Sequence, residues 1–192
     1  MLTIAWDIDD VLNDFMKQWF HNWQHLHNTC NLSYADITQN PPHNIIGVSL
    51  DEYRDSIDQF RSSELFANMP PNQDILQWFK QYGHFFRHIA VSAVSRKVAN
   101  VSSSWLFRHF GDWIRTFAFI PSPRIGENIP LYDSTKAQYL NWLEKADIFI
   151  EDNQNNVDAI GQTKIKSFIV AQPWNNSKIQ IGQILTAITG EL

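Results

Sequence analysis

Short apolar runs punctuate the chain at residues 2–6 (LTIAW), 88–94 (HIAVSAV), 116–120 (TFAFI), 147–150 (DIFI) and 165–170 (IKSFIV). Each has strand length. The stretches between them carry apolar residues at helical spacing: Val98, Val101, Trp105 and Phe110, then Leu140 and Leu143, then Ile181, Ile184, Leu185 and Ile188. Strands that alternate with helices run parallel, because a parallel pair needs a crossover and the helix supplies it. The expected fold is α/β, a Rossmann-like doubly wound parallel sheet with helices on both faces.

One interval breaks the rhythm. Between Val11 and about His84 the chain is far longer than a single crossover helix requires, and it holds helical patterns at about 13–28, 51–62 and 73–82, broken at PPHN (41–44) and MPPN (69–72). The last of these starts behind Asn72, an N-cap residue, and is expected to be the crossover itself. Residues 13–69 then form a small helical cap inserted after strand one, leaving 1–12 and 70–192 as the α/β core. A cap in that position lies over the carboxyl ends of the strands, where open α/β sheets bind ligands.

Composition narrows the partners. The chain has 192 residues, 44% of them apolar, enough for a sizeable core, and a formal charge of −5. Backbone-phosphate recognition needs a basic face, so neither a nucleic-acid duplex nor an anionic membrane is an expected partner. The one cysteine, Cys30, allows no internal disulfide and no thiolate metal cluster, which fits a reducing, cytoplasmic setting. No run approaches the ~20 apolar residues of a membrane span. Monomer and homodimer both remain open.

Within IAWDIDDVLNDF (4–15), Asp7, Asp9 and Asp10 fall directly behind the first strand. Like charges at contact distance repel by about 4 kcal/mol per pair at an effective dielectric near ~20. A cation is the expected compensation. Alternation about Ile8 puts Asp7 and Asp9 on one side. Such a pair also occurs in turns and caps, so other strand ends have to agree. The second apolar run offers Ser92, the segment STKAQYLNWLEK opens a helix near Lys136, and IFIEDNQNN ends a strand at Glu151 and Asp152. Taken singly, Ser92 also reads as a helix N-cap and Lys136 as a surface lysine.

As a set these residues resemble the signatures of the haloacid dehalogenase-like superfamily of phosphohydrolases: DIDDV (7–11), the run ending in Ser92, Lys136, and ED (151–152) with Asn156 four positions after Asp152. The wording DIDDVLNDF, the segment SSSWLFRHFGDW ending at Trp113 and PWN (173–175) resemble the 5′(3′)-deoxyribonucleotidase group within it. The resemblance implies a Mg²⁺-dependent hydrolase of small phosphomonoesters, a nucleoside monophosphate foremost. Asp7 is then the nucleophile that forms an aspartyl-phosphate, and Asp9 the acid and base. The implied Mg²⁺ ligands are the Asp7 carboxylate, the Asp9 main-chain carbonyl and Asp152, with Glu151 holding a metal-bound water. Ser92 and Lys136 are the implied phosphate-binding groups. Glu151 stands where Asp or Gly is commoner, and Asp10 where Gly is common. Two other readings keep the fold: a phosphatase of sugar phosphates or other metabolites, and a catalytically silent binding protein, against which the presence of Asp9 weighs.

Other residues invite roles. Phe15 and Trp19 follow the acidic loop and are candidates to enclose a base or sugar, with Trp174 and Asn175 at the rim. Arg96 and Lys97 follow strand two and read equally as a solvated helix face. His21 and His25 lie one helical turn apart with no third ligand nearby, so a solvated helix face is expected there; His84 and His88 have no better claim. No Walker loop or dinucleotide fingerprint is present.

Overall fold

The computed structural model describes residues 1–27, 30–161 and 163–192. Among them, five strands form one parallel sheet: β1 (Thr3–Trp6), β2 (Arg87–Val94), β3 (Ile114–Pro121), β4 (Ile148–Glu151) and β5 (Lys166–Ile169), in the order β3-β2-β1-β4-β5. The central strand, β1, pairs Trp6 with Ala90 on one side and with Ile150 on the other. The order reverses at β1, so the loop behind Trp6 opens into the crevice at a topological switch point.

Period-two alternation explains why the sheet is covered on both faces. Ile4, Trp6, Ala90, Ile148 and Ile150 join one buried cluster, while Ala5, Ile89, Val91 and Phe149 join a second on the opposite face. The first is closed by α5 (Gln73–Tyr82), α6 (Ala99–Phe110) and α9 (Ile181–Thr189), which contribute Phe79, Phe110 and Ile188. The second is closed by α7 (Lys136–Leu143) and α8 (Gln154–Ile160), through Leu140 and Ile160. Asn72 caps α5 as expected, its Oδ1 accepting from Ile75 N at 3.2 Å. The short α8 was not expected. It buries only Ile160, so it has no apolar period to read.

Between β1 and α5 lie α1 (Phe15–Leu26), α2 (His43–Ile46), α3 (Leu50–Arg61) and α4 (Glu64–Ala67). Helix α1 starts at Phe15 and not at 13, because Asn13 Oδ1 accepts from Asp10 N at 3.2 Å and Phe15 N at 3.0 Å, closing a turn before the helix. The expected helix over 13–28 ended at Asn28, which lies outside the described residues. A reciprocal capping box between Ser49 and Glu52 starts α3. The apolar side of this stretch, including Phe15, Trp19, Phe60 and Phe66, belongs to the same cluster as Trp6. No helix among the described residues is long and apolar enough to cross a membrane.

The histidines resolve into packing and solvent. His21 and His25 are exposed on α1. His88, on β2, is buried beside β1, accepting from Trp6 Nε1 at 3.1 Å while its Nε2 donates to Gly83 O at 2.8 Å. Burial depresses its pKa to about 4, so it is a neutral structural ring.

Candidate active site

The loop behind β1 is shaped by its own carboxylates. Asp7 N donates to Ile150 O at 2.9 Å, the last tie to β4, and Asp7 Oδ1 then accepts from Ile8 N at 2.7 Å. Asp10 sits at φ +61°, ψ +11°, in the left-handed region, and its Oδ1 accepts from Met16 N at 2.9 Å. That backbone is costly for a side chain and cheap for glycine. Asp10 therefore braces the loop against the start of α1.

The ends of β1 and β4 and the start of α7 converge at this loop. One carboxylate oxygen from each of Asp7, Glu151 and Asp152 lies within 4.8 Å of the others, and all three residues are buried. Lys136, the first residue of α7, places Nζ 2.5 Å from Asp7 Oδ2 and 2.8 Å from Glu151 Oε2. Glu151 is fully enclosed, its other oxygen accepting from the amides of Asp152 (3.2 Å) and Asn153 (3.1 Å). It thus grips Lys136 and the β4 loop. Asp152 is held from a third loop: Trp174 Nε1 donates to its Oδ2 at 2.8 Å and Asn175 Nδ2 to its main-chain oxygen at 2.7 Å.

The charges do not balance. Burial, then the nearby Glu151 charge, pushes Asp7 well above the usual carboxylate range, and the same two causes raise Asp152. Burial also acts upward on Glu151, but Lys136 and donated hydrogen bonds outweigh it, leaving its pKa lowered. For Lys136 the burial effect is downward and is overcome by Asp7 and Glu151, so the ammonium stays charged. Three carboxylates face one ammonium. Hard oxygen donors with uncompensated negative charge are the donor set of a divalent cation such as Mg²⁺, and the residues present fit one.

A cavity of about 330 Å³ opens over this cluster. Asp7, Asp9, Ser92, Lys136, Glu151, Asp152 and Asn156 all line it, so the residues singled out at four separate places in the sequence share one space. Its far wall is one stripe of α3, where Leu50, Tyr53, Arg54, Ile57 and Arg61 recur at helical spacing. Arg96 and Lys97 lie outside it, exposed. Phe15 lines the cavity, but the Arg61 guanidinium covers its ring at 3.9 Å. Trp19 is buried away from the cavity, against Tyr53 and Trp23, its Nε1 donating to Ser56 Oγ at 3.1 Å.

Arg61 is the main residue that sequence reasoning missed. It is buried and pairs with Asp9, yet in the sequence it is one arginine at the end of an amphipathic helix. The α3 stripe was readable as a face; what it faces was not.

No protein-family model matches the chain, and no curated protein matches it. Solved structures do. The chain aligns with the haloacid dehalogenase-like hydrolase SP0104 from Streptococcus pneumoniae at 11% identity, covering 97% of this chain and 90% of that one, with a TM-score of 0.60. YfnB of Bacillus subtilis, bound to magnesium, aligns at 12% identity over 100% of this chain and 98% of its own, with a TM-score of 0.61. Protein Tyrosine Kinase A of Mycobacterium tuberculosis aligns at 13% identity over 97% of both chains, with a TM-score of 0.62. At these identities the likeness is one of fold: the chain shares the Rossmann-like α/β fold of these proteins.

Proposed function

We propose that this protein is a Mg²⁺-dependent phosphomonoester hydrolase that works through an aspartyl-phosphate on Asp7. The observation that carries the reading is the convergence of Asp7, Asp152, Glu151 and Lys136 at the carboxyl ends of adjacent parallel strands, beneath one cavity. In this reading 13–69 is the cap that walls the cavity and 1–12 with 70–192 is the core.

The chemistry follows from the atoms available. An Asp7 oxygen attacks phosphorus as the bond to the ester oxygen breaks, and the departing oxygen takes its proton from Asp9. Asp9 then accepts a proton from water attacking the aspartyl-phosphate, which frees phosphate and restores Asp7. Lys136 holds Asp7 in place and adds positive charge beside the phosphoryl oxygens, to which buried Ser92 offers a hydroxyl. The carboxylates of Asp7 and Asp152 and the main-chain oxygen of Asp9 would hold Mg²⁺, which would supply further neutralising charge there. Glu151 acts here chiefly by orienting Lys136.

For the substrate, a nucleoside 5′-monophosphate is the first reading, carried by the DIDDVLNDF wording and by a cavity large enough for one small ligand. A sugar phosphate or other polar metabolite is the second, favoured by Arg61 covering the Phe15 face and by Trp19 lying off the cavity. A reducing, cytoplasmic setting accords with the single cysteine. Phosphate release from a panel of nucleotides and sugar phosphates, with and without Mg²⁺ and with Asp7→Asn as control, tests the reading. Mg²⁺-dependent release abolished by Asp7→Asn supports it; turnover indifferent to both overturns it.

A further inference from the structure

The C-terminal turn of α3 is fastened to two loops of the sheet. Arg61 sets its fork on Asp9, Nη1 lying 3.2 Å from Oδ1 and Nη2 2.5 Å from Oδ2. One turn earlier, Asp58 receives the fork of Arg124, Nε at 2.8 Å and Nη2 at 2.7 Å. Arg124 is anchored in turn by donating to Ser122 O at 2.8 Å, in the loop behind β3.

The Arg61 guanidinium is buried in the cavity wall. It stacks 3.9 Å from the centre of the Phe15 ring, reaches Ser102 Oγ at 3.4 Å, and leaves its side chain 5% exposed. A planar fork fixes the plane of a carboxylate, whereas a lysine at the same place would fix only its distance. The fork takes one position on each oxygen and leaves another open, so Asp9, which lines the cavity, has a free position there for the proton it gives the leaving oxygen and later takes from water.

We propose that Arg61 is a positioning residue: it turns the Asp9 carboxylate toward the leaving oxygen, and the Arg124–Asp58 pair holds Arg61 in register through the last turn of α3. This rests on the hydrolase reading above and names the cap residue on which its proton transfer depends. The consequence is specific to the leaving group. An alkoxide cannot depart without the proton that Asp9 gives it as the phosphorus–oxygen bond breaks, while a nitrophenolate leaves without one.

The test compares kcat/KM, which reports steps through phosphoryl transfer, for an alkyl phosphate and for 4-nitrophenyl phosphate on the full chain with Mg²⁺. Arg61→Gln should lose about a hundredfold on the alkyl ester and less than about tenfold on the aryl ester, the range of one acid–base contribution. Arg61→Lys, which keeps the charge without the fork, should show the same split. Asp58→Asn, away from the cavity, covers the event that the Arg61 variants do not fold, and should lose several-fold on the alkyl ester alone. Equal losses on both esters overturn the role of Arg61. An unchanged Asp58→Asn overturns the part given to Arg124. Phosphate release that survives Asp7→Asn overturns the underlying reaction instead, so the two failures are distinguishable.

Discussion

Trp174 donates its indole N–H to Oδ2 of Asp152 at 2.8 Å, tying the segment behind β5 to the acidic loop behind β4. An oxygen held in this way fixes which face of the carboxylate remains for a cation. Groups that orient a metal ligand from behind typically contribute 10- to 100-fold in affinity, so Trp174→Phe should raise the Mg²⁺ dissociation constant by about tenfold. Isothermal titration of the two proteins checks this. Equal affinities would show that Asp152 is oriented by the Asn175 bond and by packing.

Lys136 is shared by two buried carboxylates, so its removal leaves both without an ammonium. Lys136→Met should destabilise the metal-free fold by about 3–5 kcal/mol in urea unfolding, the cost of breaking a buried pair from one side. Adding Glu151→Gln should restore part of that loss, because it removes one of the stranded charges. Strictly additive losses would contradict the coupling.

Asp10 occupies a left-handed backbone position that glycine adopts freely. Asp10→Gly gives up the bond to Met16 N but relieves the backbone, whereas Asp10→Ala gives up the bond and keeps the strain. The alanine variant should be the less stable by about 1 kcal/mol in denaturant unfolding. The reverse order would mean that the backbone there is not under strain.

The depressed pKa of His88 makes folding sensitive to acid. A group with a folded-state value of about 4 against an ordinary 6.5 contributes its full stability above 6.5 and loses it as pH falls through 4. The loss over that window is about 3 kcal/mol for such a shift. His88→Gln cannot titrate, so its stability measured by urea unfolding should decline less steeply between those two pH values. Parallel declines would place the acid sensitivity elsewhere.

Where the sequence was legible, the reason is local. Ile4 and Trp6 alternate with Ala5, and Ile148 and Ile150 with Phe149, so strand period alone tells which faces are buried. Asp7, Lys136 and Asp152 could be singled out because chemistry-bearing residues at strand ends and helix starts converge in a doubly wound sheet. The wall opposite was not legible. Arg61 meets Asp9 across 52 positions, and the neighbouring Arg124–Asp58 contact joins residues 66 apart, neither with a periodic signal. Trp19 shares a face of α1 with Phe15, one turn on, and packs against Tyr53 and Trp23, a placement that helical spacing alone does not reveal. The bond between Trp174 and Asp152 likewise depends on how two loops meet, and the sequence placed Trp174 no nearer than the rim.

The most direct measurement is of the phosphorylated protein itself. Asp9→Asn, mixed with 4-nitrophenyl phosphate and Mg²⁺ and quenched in acid, should accumulate one phosphoryl group because the step that removes it needs the Asp9 base. Peptide mass spectrometry should place that group on Asp7 and find none in the Asp7→Asn variant. A phosphoryl group on another residue, or one that persists when Asp7 is replaced, would contradict the assignment of the nucleophile and with it the mechanism.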